Sequence, residues 1–297
     1  RRCNQGLNMR KSLACLLFGF ASLALAITTV RAQTTVHFAS LDGPPATELD
    51  GYLFPASGAQ ATHPAVVFLH GCGGMFGRSG KINARERDWA QRMNEAGITV
   101  LMVDSLGPRH HGEMCAPAHF DARIYRARPL DAYAALRYLQ AMPNVRADRI
   151  AVVGWSQGGG TVLHTIRSTS PARPASLPQG DFRAAVAFYP GSCNPQQQGA
   201  AWSSSIPLLL LIGAKDVWTP LGPCEELMKS LAPPTSVSLQ IYANAYHDFD
   251  WPNMPIHAVP AFKTRSGVVP IEGTDEPARA DAQVKVMAFL RDRLLAP

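Results

Sequence analysis

Apolar residues in this chain fall into short unbroken runs separated by stretches with helical spacing. The runs are Ala65–Leu69, Ile98–Val103, Ile150–Val153, Ala184–Phe188, Leu208–Ile212 and Val237–Tyr242. Continuous rather than alternating apolarity is how a strand covered on both faces reads. Ahead of these runs, Thr35–Ala39 and Glu48–Phe54 flank Pro44-Pro45, which predicts an antiparallel opening pair. Helices are predicted over Ala84–Ala96, Leu130–Met142, Gly158–Arg167, Glu225–Leu231 and Ala280–Leu295. In the first of these, Trp89 and Met93 stand four apart on one face. The alternation predicts an α/β domain over residues 33–297, with a mostly parallel sheet of about eight strands between helices. The Pro- and Ser-rich stretch 168–180 reads as a surface loop.

Residues 1–32 have a different character. Met9-Arg10-Lys11 leads into an apolar stretch from Leu13 to Ile27, followed by small residues ending at Ala32. A charged start, a short greasy middle and small residues before a cut describe a secretory signal. With Val30 and Ala32 three and one residues ahead of the cut, cleavage is expected before Gln33, and Arg1–Asn8 read as an upstream extension. The stretch falls short of the ~20 apolar residues that span a bilayer, so no stable membrane anchor is expected after removal. The expected location is secreted or periplasmic.

This segment also carries the net charge. Of 28 basic residues, Arg1, Arg2, Arg10, Lys11 and Arg31 lie within it, leaving 23 against 22 acidic ones. A nucleic-acid partner needs a basic excess and is excluded on this count. A hydrophobic fraction of 46% with mean hydropathy −0.04 excludes a disordered or collagen-like chain. Cys72, Cys115, Cys193 and Cys224 remain beyond the signal. They could form two disulfides in any of three connectivities, or stay as thiols.

The chemistry centres on Gly154-Trp155-Ser156-Gln157-Gly158. The pentapeptide alone is a weak signal, but Ile150–Val153 runs into it as a strand and Gly158 opens a helix. Strand, sharp turn and helix make a nucleophile elbow that lifts the Ser156 hydroxyl above the sheet. A serine needs a base, and the base needs an orienting acid, in the chain order Ser, acid, His. Asp216 follows the Leu208–Ile212 run and His247 follows the last strand, so these two complete the expected triad. Asp181, Asp250 and His257 are poorer candidates, because none of them ends an apolar run. Oxyanion donors are expected from the Gln157 amide and from the glycine-rich loop His70-Gly71-Cys72-Gly73-Gly74, where the Cys72 amide is the choice. Cys72 as the nucleophile itself lacks the strand–turn–helix context.

Together, His-Gly-Cys-Gly-Gly at 70–74, Gly-Trp-Ser-Gln-Gly-Gly at 154–159, Gly-Ala-Lys-Asp at 213–216 and Tyr-His-Asp-Phe at 246–249 resemble the dienelactone hydrolase family of α/β-hydrolases. The resemblance runs from about Thr35 to the C-terminus. It implies an α/β-hydrolase fold and hydrolysis of esters or lactones, with Ser156 as nucleophile, His247 as base and Asp216 as orienting acid. Founding members carry cysteine where this chain has Ser156, and serine there points instead to a general carboxylesterase. The implied strand neighbours also place the cysteines, pairing Cys193 with Cys224 and Cys72 with Cys115.

Several other features are weighed and set aside. Ser79-Gly80-Lys81 lacks the glycine and the Ser/Thr of a phosphate loop. His110, His111, Cys115 and His119 match no metal-ligand spacing, so no metal and no cofactor are expected. His164, inside the helix after Ser156, is expected to pack. Trp155, Trp202, Trp218 and Trp251 sit in or near loops at the active end, where they either line a substrate pocket or pack in the core. Gly191–Pro207 is the best candidate for a small lid over an otherwise open site. The expectation is a small-molecule ester or lactone hydrolase. Acyl transfer on the same residues and a noncatalytic binding protein are the rivals.

Overall fold

The computed structural model describes residues 33–198, 202–233 and 235–296; the expected signal segment lies outside them. The sheet contains β1 (Thr34–Ala39), β2 (Glu48–Phe54), β3 (His63–Leu69), β4 (Thr99–Asp104), β5 (Val145–Trp155), β6 (Ala184–Phe188), β7 (Leu208–Gly213) and β8 (Val237–Tyr242). Their spatial order is β1-β2-β4-β3-β5-β6-β7-β8. Only β2 runs against its neighbours; every other pairing between β4 and β8 is parallel. This is the α/β-hydrolase fold.

Burial explains why the strands read as they do. Every residue of β3, β4, β6 and β7 is buried, whereas the edge strands β1 and β8 are partly exposed. The helices are α1 (Ala84–Glu95), α2 (Ala122–Gln140), α3 (Gln157–Ile166), the single turn α4 (Pro195–Gln198), α5 (Leu221–Lys229) and α6 (Glu276–Leu294). Right-handed crossovers in opposite directions send α1 to one face and α2 with α3 to the other. Asp88 of α1 binds Arg279 of α6 at 2.8 Å, which places α6 beside α1.

Two helices start earlier than their apolar periodicity. Asp121 caps α2 by accepting from the Arg123 and Ile124 amides, and Asp275 caps α6 through the Ala278 amide. Each cap stands ahead of the helix start that the apolar spacing predicted, Leu130 for α2 and Ala280 for α6. Pro129 lies inside α2, which nonetheless continues to Gln140.

The chain order places the site. From β3 the chain steps to β4 on one side and then to β5 on the other, so the order reverses at β3/β5. In open α/β sheets, ligands bind beyond the strands' carboxyl ends at such a switch point. Leu69 pairs with Gly154, and Trp155 with Phe188, so the ends of β3, β5 and β6 emerge side by side. Gly213 pairs with Tyr242 and brings the ends of β7 and β8 to the same rim.

Disulfides join Cys72 to Cys115 and Cys193 to Cys224, closing loops of 43 and 31 residues. The second holds the expected lid segment down, helped by Trp202, which is buried and donates from Nε1 to Leu163 O at 3.1 Å. Residues 199–201 of that segment lie outside the described residues. No helix among the described residues is long and apolar enough to cross a membrane.

Candidate active site

Ser156 occupies the N-cap of α3 with φ 53° and ψ −116°, a backbone region that costs an L-residue energy. The surroundings fix it there. Its amide donates to Phe188 O at 3.0 Å, and its carbonyl accepts from Gly160 at 2.9 Å and Gly191 at 3.0 Å. The flanking glycines are required by contact. A Cβ on Gly158 would lie 2.0 Å from Leu69 O, and one on Gly154 would lie 2.3 Å from Gly158 O.

Asp216 and His247 leave β7 and β8 in adjacent turns and meet in the interior. His247 Nδ1 and Asp216 Oδ2 are 2.7 Å apart, and both residues are almost fully buried. The carboxylate is fully supplied with donors. Oδ1 accepts from the Trp218 and Thr219 amides at 2.8 and 2.9 Å, and Oδ2 accepts from Thr219 Oγ1 at 2.8 Å. Burial opposes protonation of His247, but Asp216, with lesser help from Asp248 and Glu272, outweighs it. The imidazole's pKa is therefore held above its ordinary 6.5.

Ser156 and His247 converge on one short segment. Phe188 and Gly191 hold the serine backbone, while Tyr189 between them packs on the imidazole with ring centroids 4.5 Å apart. The Thr219 hydroxyl lies within hydrogen-bonding distance of both Asp216 Oδ2 and Tyr189 O, with one proton to share between them, and is 3.2 Å from Nδ1. Among the described residues, the Ser156 hydroxyl and His247 Nε2 are not hydrogen-bonded to each other; the imidazole's bonds run through Nδ1. Catalytic hydrogen bonds are often long before substrate arrives.

The two expected oxyanion donors follow the adjacent ends of β3 and β5, on either side of the switch point. Among the described residues, neither the Cys72 nor the Gln157 amide has a hydrogen-bond acceptor. The Cys72 loop is anchored by the bond to Cys115 and by Met114 N donating to Cys72 O at 2.8 Å. Arg128, which sequence reading missed, ties the two sides together. It is fully buried, donates from Nη1 to Gln157 Oε1 at 2.7 Å and from Nη2 to His70 O, and bonds no carboxylate among the described residues. Burial pushes its pKa down to about 10, which leaves it charged at neutral pH. His70 is pushed to about 3, mainly by burial and then by Arg128, and as neutral imidazole it accepts the Ser105 amide at Nε2.

A second buried network braces Tyr189. Asp250 accepts from Trp89 Nε1 at 2.7 Å, Trp155 Nε1 at 2.9 Å and Tyr189 OH at 2.5 Å. Arg85 adds bonds to Tyr189 OH, Asp248 and Glu86. Asp250 thus supports the ring behind His247 without touching the imidazole. Asp181 is paired with Arg173 at 2.6 Å, and the exposed His257 lies 3.4 Å from Glu272.

The tryptophans divide by burial. Trp155 and Trp202 are core residues, because each indole N–H finds an interior acceptor and Trp155 stacks on Phe188. Trp251 lies under the Arg85 guanidinium, 4.9 Å from ring to charge. Only Trp218 packs on His247, with centroids 4.9 Å apart, and it stacks on Phe262. His164 packs edge-on against Tyr125.

The dienelactone hydrolase family profile matches residues 49–294. A probable 2-oxo-3-(5-oxofuran-2-ylidene)propanoate lactonase from Bradyrhizobium sp is 26% identical over 195 residues, covering 63% of this chain and 73% of that protein. Among solved structures, a dienelactone hydrolase-like promiscuous phosphotriesterase from metagenomic libraries superposes with a TM-score of 0.64 at 21% identity. It covers 89% of this chain and 99% of its own. A propionate-bound thermophilic esterase from the planctomycete Thermogutta terrifontis gives 0.57 at 14% identity, covering 89% and 95%. These structures share the fold, whereas the profile spans the elbow, the acid turn and the histidine turn together. The chain belongs to the dienelactone hydrolase family of hydrolases.

Proposed function

We propose that this protein hydrolyses carboxylic esters or lactones of small molecules through an acyl-enzyme on Ser156. His247 Nε2 takes the serine proton as Oγ attacks the substrate carbonyl, then returns it to the leaving alkoxide. Asp216 keeps the other imidazole proton on Nδ1 and offsets the charge the ring acquires. The Cys72 and Gln157 amides receive the developing oxyanion, where one such donor can be worth roughly 3–4 kcal/mol. Water then repeats the sequence on the acyl-enzyme, and His247 is again the base.

The carrying observation is the buried Asp216–His247 pair packed against the same Phe188–Gly191 segment that holds the strained Ser156 backbone. The lactonase and esterase among its relatives support the substrate class, and serine at the elbow supports esters over dienelactone. The two disulfides fit an oxidising compartment, which supports export by way of the segment at 1–32.

The test is a panel of p-nitrophenyl esters and small lactones, assayed with the wild-type protein and Ser156→Ala. The wild type should turn over short esters and be labelled on Ser156 by a fluorophosphonate. The variant should fold yet lose kcat by several orders of magnitude, on the order of 10⁶ when such a nucleophile is removed. Equal activity in both proteins would refute the assignment.

A further inference from the structure

On the α2/α3 face, a cavity of about 460 Å³ opens between the two helices and the loop after α3. Its size falls within the ~300–1,000 Å³ of small-molecule sites. Pro129, Leu130 and Ala172 give it an apolar wall. His164 also lines it, two turns along α3 from Ser156, about 12 Å at 1.5 Å per residue. Its far wall reaches Ser192, the neighbour of Gly191, and Tyr125, which bonds Ser192 at 2.8 Å; Ser156, Asp216 and His247 are not part of the lining.

Its polar groups are short of partners. Ser170 is only 8% exposed, and among the described residues its hydroxyl has no hydrogen-bond partner. Arg167 lines the cavity with a buried, unpartnered Nε, its Nη1 being held by Gln198 O at 2.9 Å. Arg126 adds a second guanidinium, and no Asp or Glu belongs to the lining. His164 is kept neutral, its pKa pushed down to about 4 by burial and by Arg167, so it can donate without adding charge. A buried donor without an acceptor is costly, and a ligand oxygen would supply the missing partner. Two guanidiniums and a hydroxyl in one lining, Arg126 at its exposed edge, suit a carboxylate, and the apolar wall suits a hydrocarbon body.

We propose that this cavity is a binding site for a small carboxylate with a hydrocarbon body, separate from the hydrolytic centre. The assignment does not depend on the triad, and its test reads binding as well as turnover. Sodium octanoate is titrated calorimetrically into the whole protein, with 1-octanol as the uncharged comparator. Octanoate should bind one to one, with octanol about tenfold or more weaker, since one lost charge-assisted bond is worth that factor. Arg167→Gln and Arg126→Gln should each weaken octanoate by about tenfold and leave ester hydrolysis unchanged. Ala172→Trp, which fills the cavity, should abolish binding.

Absence of binding, equal affinity for octanol, or full affinity in the doubly substituted R126Q/R167Q protein would each overturn the proposal. So would a parallel loss of ester turnover in the arginine variants, because the cavity would then be part of the hydrolytic cleft. Should Ala172→Trp fail to fold, the arginine variants and the octanol comparison decide alone.

Discussion

Replacing Asp216 by Asn tests the site at its most constrained point. The side chains are isosteric, and Asn can keep its oxygen where Oδ1 now accepts the Trp218 and Thr219 amides at 2.8 and 2.9 Å. That choice puts the NH₂ group where Oδ2 now faces His247 Nδ1 at 2.7 Å. A donor there forces the imidazole proton from Nδ1 to Nε2, the atom that must accept the serine proton. Thr219 Oγ1 loses one acceptor but keeps Tyr189 O at 3.0 Å, so the turn itself survives. The expected outcome is a folded protein with kcat reduced by about 10⁴, as a wrong tautomer with intact geometry causes elsewhere. That is about 5 kcal/mol of transition-state stabilisation. The assay is kcat and KM on p-nitrophenyl acetate beside a thermal melt. A variant within tenfold of wild-type kcat would show that Asp216 does not set the tautomer. A melt collapsing in step with activity would show that its role is structural.

Other outcomes follow from the same geometry. Because Asp216 holds the His247 pKa above 6.5, the rising limb of kcat/KM should lie above that value and move down in Asp216→Asn. The stability contribution of the same group has the opposite sign. It is complete below 6.5 and lost as pH rises through the folded value, so chemical melts across that window should fall while activity climbs. Arg128→Met should lower kcat at least tenfold with little change in KM, and Arg128→Lys should not restore it, since one ammonium cannot repeat the guanidinium's two-pronged grip on Gln157 and His70. Gly158→Ala should destabilise the protein by about 3 kcal/mol or more, because backbone at Leu69 blocks the new methyl. Gly222→Ala, with open space around it in the first turn of α5 but Pro223 directly after it, should shift stability by less than about 0.5 kcal/mol in the same denaturant titration.

The parts legible in the sequence are those where one residue's surroundings are local. Continuous apolar runs marked β3 through β7, because burial on both faces leaves no room for polar alternation. Asp216 and His247 were legible as the first polar residues of suitable chemistry beyond their strands. Helix starts were less so, since Asp121 and Asp275 act through backbone amides and not through periodicity. The β5 strand extends back to Val145 through polar Arg146 and Asp148, which broke the apolar pattern. Least legible were the charges that brace the site. Arg85 and Arg128 sit in helical stretches where a surface position is the ordinary reading, and their partners lie up to 163 residues away. The same distance hid the role of Trp155, whose acceptor Asp250 is 95 residues further on.

The donors around Asp216 have one more consequence. Three of its four hydrogen bonds come from its own turn, through Trp218 and Thr219, and only one comes from the imidazole. If the ring swings toward the serine during turnover, the carboxylate does not become a stranded interior anion. The acid is then a fixed post: the ring can pivot and return while the carboxylate keeps three neutral donors from the loop that carries it.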